Sequence, residues 1–228
     1  MQPQGFSGFT PDAFKFFLEL GFNNEKAFFD ANRERCRRVV QQPMRALAND
    51  LIPAALEMNP DFDTRMSVLV SRMNRDTRFS KNKLPYRDHG WIGFKPAESR
   101  TSESFCVYFE IEPGGYGYGM GMYDANPALM KPLRERALAN PQKLLDLSAP
   151  LLARGFEVRG ELFKKDRFPA APEAVKPYLN RKGVSWCFFS KDIEKTFSRE
   201  IFDETREAFV LMKPLYRFVM GLEQASGT

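Results

Sequence analysis

Histidine is almost absent: one, His89, stands in 228 residues. Zinc sites built on a histidine pair, HExxH among them, are therefore excluded within one chain. Cysteine is scarce as well. Cys36, Cys106 and Cys187 are an odd number, widely spaced, with no CxxC pair, so neither a zinc ribbon nor a thioredoxin-type redox site is expected. Three separate thiols suit a reducing compartment, and a cytoplasmic location is the expectation. No apolar run approaches the ~18 residues of a membrane span, so no membrane partner is expected. The opening MQPQGFSGFT has neither a basic nor an apolar region of the secretory kind. GxxxxGK[ST] and GxSxG do not occur. The glycines at 115, 117, 119 and 121 are spaced by two, which suits a strand and fails GxGxxG. No spacing points to a metal, and the cofactor is left open.

What remains is an ordinary globular composition, 43% hydrophobic and 28% charged, in a chain long enough to bury a core without disulfides. No linker or repeat divides it, so a single domain over 1–228 with a loose tail from about 224 is expected. Thr10-Pro11 opens a helix that ends near Gly21, and Asn24 is placed to cap a second one. Pro43 begins a third through about Leu56, with Leu47, Leu51 and Ala54 at helical period. The β-branched run Met66–Met73 reads as a strand, and Trp91–Lys95 as another.

The clearest local expectation is a hairpin. Phe105, Val107, Phe109 and Ile111 alternate with polar residues. Pro113-Gly114-Gly115 then marks a turn, and Tyr116, Tyr118, Met120 and Met122 alternate with glycine on the return. A two-residue loop puts Phe109 and Ile111 on the face of Tyr118 and Met120. Tyr108, Glu110 and Glu112 then lie opposite bare glycine. That glycine face is either covered by another element or a ligand groove. Helices are expected at 126–139, from Pro141 to Gly155 and at 172–181, with strands at 156–162 and 184–189. From Ile193 to about Leu222 the chain reads as helical, with Pro214 opening a final helix. The class is α+β, a mainly antiparallel sheet with a central hairpin between N-terminal and C-terminal helices.

Charge is the functional signal. Lys and Arg exceed Asp and Glu by five over the whole chain. Residues 72–88, RMNRDTRFSKNKLPYRD, hold six cations against two acids, so the excess reads as concentrated there. Arginine offers a planar fork to a carboxylate or phosphate, and lysine a compact charge. Phe79, Leu84 and Pro85 are expected to pin the loop to the core, and an anion would relieve the crowding. Arg72, Arg75, Arg78 and Lys83 are the candidate ligand-binding cations. Asp76 is placed to orient a guanidinium, and Tyr86 to hydrogen-bond a ligand or carry a proton. Tyr108 forms a wall, and Glu110 is the second candidate for proton transfer. His89 is the remaining candidate base.

The pattern Arg72-x-x-Arg75-Asp76-x-Arg78-Phe79-x-x-Asn82-Lys83-x-x-Tyr86 resembles the signature of a bacterial family of similar length, domain-of-unknown-function family 2461. The resemblance extends to Phe9 and Leu18, Asn23-Asn24, the 113–115 turn and Lys182-Gly183. Where members often read Asn-Asn-x-x-Trp-Phe, this chain has Ala27-Phe28. The family name implies no activity, but it makes the basic motif a shared feature. Three readings follow. One is a binding or catalytic site for an anionic small molecule. The second is a nucleic-acid surface that adds Arg33, Arg35, Arg37 and Arg38 and uses Phe79 and Tyr86 as stacking faces. The third is a structural network in which acids neutralise the motif.

Overall fold

The computed structural model describes residues 5–78, 82–97 and 104–223. Phe79 and the tail from 224 lie outside them. The N-terminal third is helical: α1 Pro11–Phe22, α2 Lys26–Ala31, α3 Arg33–Cys36 and α4 Gln42–Met58. A π-helical turn at Arg37–Gln41 joins α3 to α4. Pro11 occupies the start of α1, where its missing N–H costs nothing. Asn24 does not cap α2. Glu25 holds that position, and the Asn24 carboxamide is spent on the backbone of Tyr86.

Five antiparallel strands form one sheet in the order β1-β2-β3-β5-β4. They are β1 Gly90–Phe94, β2 Phe105–Glu112, β3 Gly115–Met122, β4 Glu157–Arg159 and β5 Ser185–Ser190. The central hairpin has the expected register: Phe109 faces Tyr118, Tyr108 faces Gly119, Glu110 faces Gly117 and Glu112 faces Gly115. Alternation buries Ile92, Phe94, Val107, Phe109, Tyr118, Met120 and Trp186 on one side. Against that side lies α9, Glu200–Met220, whose Phe209 meets Phe94 edge-on at 5.8 Å. Helices α6 Pro127–Ala139 and α7 Pro141–Ala153 extend the layer, and α4 packs on α9. The class is α+β, with helices at both ends of the chain.

Two local expectations are overturned. Residues 66–73 are not a strand. Met66–Leu69 is a short helix, α5, and only Val70 bridges to Ile92 of β1. The helical turn drops Leu69 fully into the core, a gain that outweighs the weak β preference of the run. Pro214 does not begin a new helix either, because α9 runs through it. Pro214 and Val210, one turn apart, sit on the exposed face, where water can reach the carbonyl that proline leaves unpaired. The 172–181 segment is shorter than expected, a 3₁₀ turn at Glu173–Val175 followed by α8 Lys176–Leu179.

Candidate functional site

The basic motif is built as a small ladder. Arg75 N–H donates to the Pro85 carbonyl at 2.8 Å, Arg87 N–H donates to Met73 at 2.8 Å, and Asn74 bridges Tyr86. The ladder is anchored to the edge of the sheet, since Ser71 N–H donates to Trp91 O at 2.9 Å and Trp91 N–H to Ser71 Oγ at 3.0 Å. Neither Leu84, 45% exposed, nor Pro85, also exposed, pins the loop as expected. Tyr86 does. Its ring is 5% exposed and stacks on Phe29 at 4.1 Å, while Asn24 holds its backbone with two hydrogen bonds of 2.9 and 3.0 Å. Ala27 is exposed and takes no part in that stack.

Alternation then decides what faces the sheet. With Tyr86 turned into the core, Arg87 points the other way. Its guanidinium lies 4.8 Å over the ring of Trp91, and its Nη1 donates to the carbonyls of Arg72 at 2.7 Å and Asn74 at 2.6 Å. Burial, and then the charge of Arg75, hold the Arg87 pKa below its ordinary value. Arg75 is half-buried, and its Nε is sealed from solvent without a hydrogen-bond partner. Among the described residues no carboxylate forms an ion pair with Arg72, Arg75 or Arg87. Other cations of the motif are spent on the loop itself. Arg78 pairs with Asp76 at 2.7 Å, which holds that acid down at about 2, and Lys83 Nζ donates to the Thr77 carbonyl at 2.9 Å.

Trp91 is where motif and sheet meet. It pairs directly with Glu110 across β1 and β2, and the His89 ring stacks on it at 5.8 Å. His89 Nδ1 lies 3.1 Å from Asp88 Oδ1. Burial and the neighbouring Glu112 raise the Glu110 pKa, against the opposing pull of His89 and Arg159. The Tyr108 phenol is raised strongly, by burial first and then by the neighbouring Cys187. It is a donor that stays protonated at neutral pH.

The glycines have a local explanation. A Cβ on Gly119 would be driven into the Trp186 carbonyl and stand 3.1 Å from the Tyr108 ring, and one on Gly117 would stand 3.3 Å from Glu110 Oε1. Side chains from β2 therefore lie across β3, where the sequence offered a packed element or an empty groove. The arginines at 33–38, which the nucleic-acid reading adds to the motif, pair with nearby acids. Arg33 pairs with Asp30, Arg35 with Asp12 and Glu19, Arg37 with Glu34 and Arg38 with Asp12. A depression of about 700 Å³ beside Gly5–Gly8 and the start of α4, and a pocket of about 410 Å³ around Glu204, include no residue of 72–88.

Over residues 12–218 the chain matches the family described as Conserved hypothetical protein (DUF2461). It belongs to that family. No curated protein matches it. In this DUF2461 chain, Arg75 lies on the ladder anchored to the edge strand β1, Glu110 pairs with Trp91 from the inner strand β2, and Tyr108 leans from β2 over Gly119 of β3, away from that edge. Arg87 and Trp91 were not nominated, although the alternation around Tyr86 would have found Arg87. No helix among the described residues is long and apolar enough to cross a membrane.

Proposed function

We propose that the protein binds a small phosphate- or carboxylate-bearing molecule where the motif meets the sheet edge, with Arg75 and Arg87 as the anion receptors. The observation behind this reading is the pair itself. Two neighbouring guanidiniums, one half-buried with an orphaned Nε, stand without a carboxylate among the described residues. Burying like charges together costs free energy, and a bound anion would offset that cost. Trp91 supplies an apolar wall, and Glu110 is the proton carrier if the site is catalytic, because its raised pKa keeps the acid form available nearer neutrality. Tyr86 acts as a positioning residue that turns Arg87 outward, and Arg72, Lys83 and the Asp76–Arg78 pair form the rim.

Thermal melts with inorganic phosphate, phenyl phosphate or acetate test this. A ligand at a hundred times its dissociation constant stabilises by about 2.7 kcal/mol, or roughly 5–10 °C in a chain of this size. We expect at least one probe to raise the wild-type Tm by that order and Arg75→Gln to abolish the rise. Equal responses of both proteins to every probe would reject the site.

A further inference from the structure

The charge of this chain has a second centre. Residues 159–183 hold seven cations against three acids, the same excess of four as the motif at 72–88. The acids there are already engaged. Glu161 pairs with Lys182, Glu173 pairs with Lys176 at 2.6 Å, and Asp166 pairs with Lys176 at 3.1 Å. Arg134, Lys164, Lys165, Arg167 and Arg181 have no carboxylate partner among the described residues.

The three arginines among them are held in place. Arg134 Nε and Nη2 donate to the carbonyls of Leu179 at 3.0 Å and Arg181 at 2.6 Å. Arg181 Nε donates to the Pro177 carbonyl at 2.9 Å, and its Nη1 to that of Gly160 at 2.5 Å. The loop between them is fixed by its backbone. Phe163 N–H donates to Asn180 O at 2.8 Å, Arg167 N–H to Asn180 Oδ1 at 2.8 Å and Phe168 N–H to Asp166 Oδ1 at 2.8 Å. Two guanidiniums lie over the Phe163 ring, Arg167 at 4.0 Å and Arg134 at 5.5 Å. Stacking fixes the plane of Arg167 while its side-chain N–H groups make no hydrogen bond within the described protein. Burial and the charge of Arg167 both lower the Arg134 pKa, so the two groups repel as placed.

We propose that the surface formed by Arg134, Lys164, Lys165, Arg167 and Arg181 binds the phosphate backbone of a nucleic acid without reading its sequence. A guanidinium held by its face and open at its edge matches a phosphate oxygen pair. Lys164 and Lys165 extend the positive charge along the loop, and a stacked arginine offers a plane to an unpaired base. A lipid surface fits less well, because the phenyl ring is covered by guanidinium and exposed Leu162 stands beside charge. The surface shares no residue with the site built on Arg75 and Arg87.

Fluorescence anisotropy with a labelled single-stranded oligonucleotide and its duplex, on the full chain, provides the test. We expect binding at about 50 mM salt that weakens steeply toward 200 mM, with a logarithmic slope no steeper than about five phosphate contacts allow. The triple variant Lys164→Gln, Lys165→Gln, Arg167→Gln changes only exposed side chains, so its circular dichroism should match the wild type. It should bind at least about tenfold more weakly, with a slope shallower by about 2–3. Arg75→Gln should bind as the wild type does. No binding at low salt, an unaffected triple variant, equal loss in Arg75→Gln, or equal competition by polyglutamate would each overturn the proposal. Failure of phosphate to stabilise the first site would leave it untouched.

Discussion

A carboxyl that is harder to ionise in the folded protein than in the unfolded chain leaves a signature in stability. Glu110 is such a group, raised by burial and by Glu112. Below the unfolded pKa both states hold the proton and nothing is lost. As pH climbs through the interval up to the folded pKa, the folded state binds more protons than the unfolded one, so stability falls. Glu110→Gln cannot ionise and escapes that loss. The Tm difference between Glu110→Gln and wild type should therefore move in favour of the variant between pH 4 and pH 8. A difference that is flat or moves the other way would show that burial does not penalise this carboxylate. Asp76 behaves oppositely. Held at about 2 by Arg78 on an exposed loop, it stays ionised through that whole range.

At the scale of elements, the β3 glycines are packing residues for β2 and β5. Gly119→Ala pushes a methyl group into the Trp186 carbonyl and toward the Cys187 Cα at 3.0 Å, and backbone gives way poorly. A loss of about 1–3 kcal/mol is expected from overpacking of this kind, read as a lower urea midpoint. Gly114→Ala, in the exposed turn with its nearest atom at 3.8 Å, serves as the control and should shift the midpoint little. The hairpin was legible because the period-two pattern and the turn dipeptide agree, and a two-residue loop fixes which residues share a face. Residues 66–73 were not legible, because so short a segment, apolar at five of its eight positions, does not reveal whether Leu69 will find a core below it or a strand beside it. The same limit hid the site. Six cations within residues 72–88 were visible, but the sequence does not say that Arg78 closes on Asp76 or Lys83 on a carbonyl. Nor does it say that Tyr86 turns inward and Arg87 outward over Trp91.

For the molecule as a whole, α9 is the element that joins the sheet to the N-terminal helices, through Phe209 on Phe94 and through Tyr216, whose hydroxyl accepts from Asn59 Nδ2 at 3.2 Å. Phe209→Ala should cost about 3–5 kcal/mol and lower the Tm by roughly 6–20 °C in a thermal melt. A change of only a degree or two would mean the helix is held mainly by its other contacts. Charge is also arranged at this scale. Basic regions at 72–88 and 159–183 each carry an excess of four, so with five overall the rest of the chain is net acidic. The arginines at 33–38 are neutralised locally. The class, the hairpin register and the family signature were fixed by local order along the chain, where alternation, turn residues and motif spacing act over a few positions. Which cations remain without an acid was decided only by tertiary structure. Some pairs are local, as Arg78 with Asp76, but others join distant segments, as Arg35 with Glu19 and Lys182 with Glu161, and those distances exist only once the sheet and helices have packed.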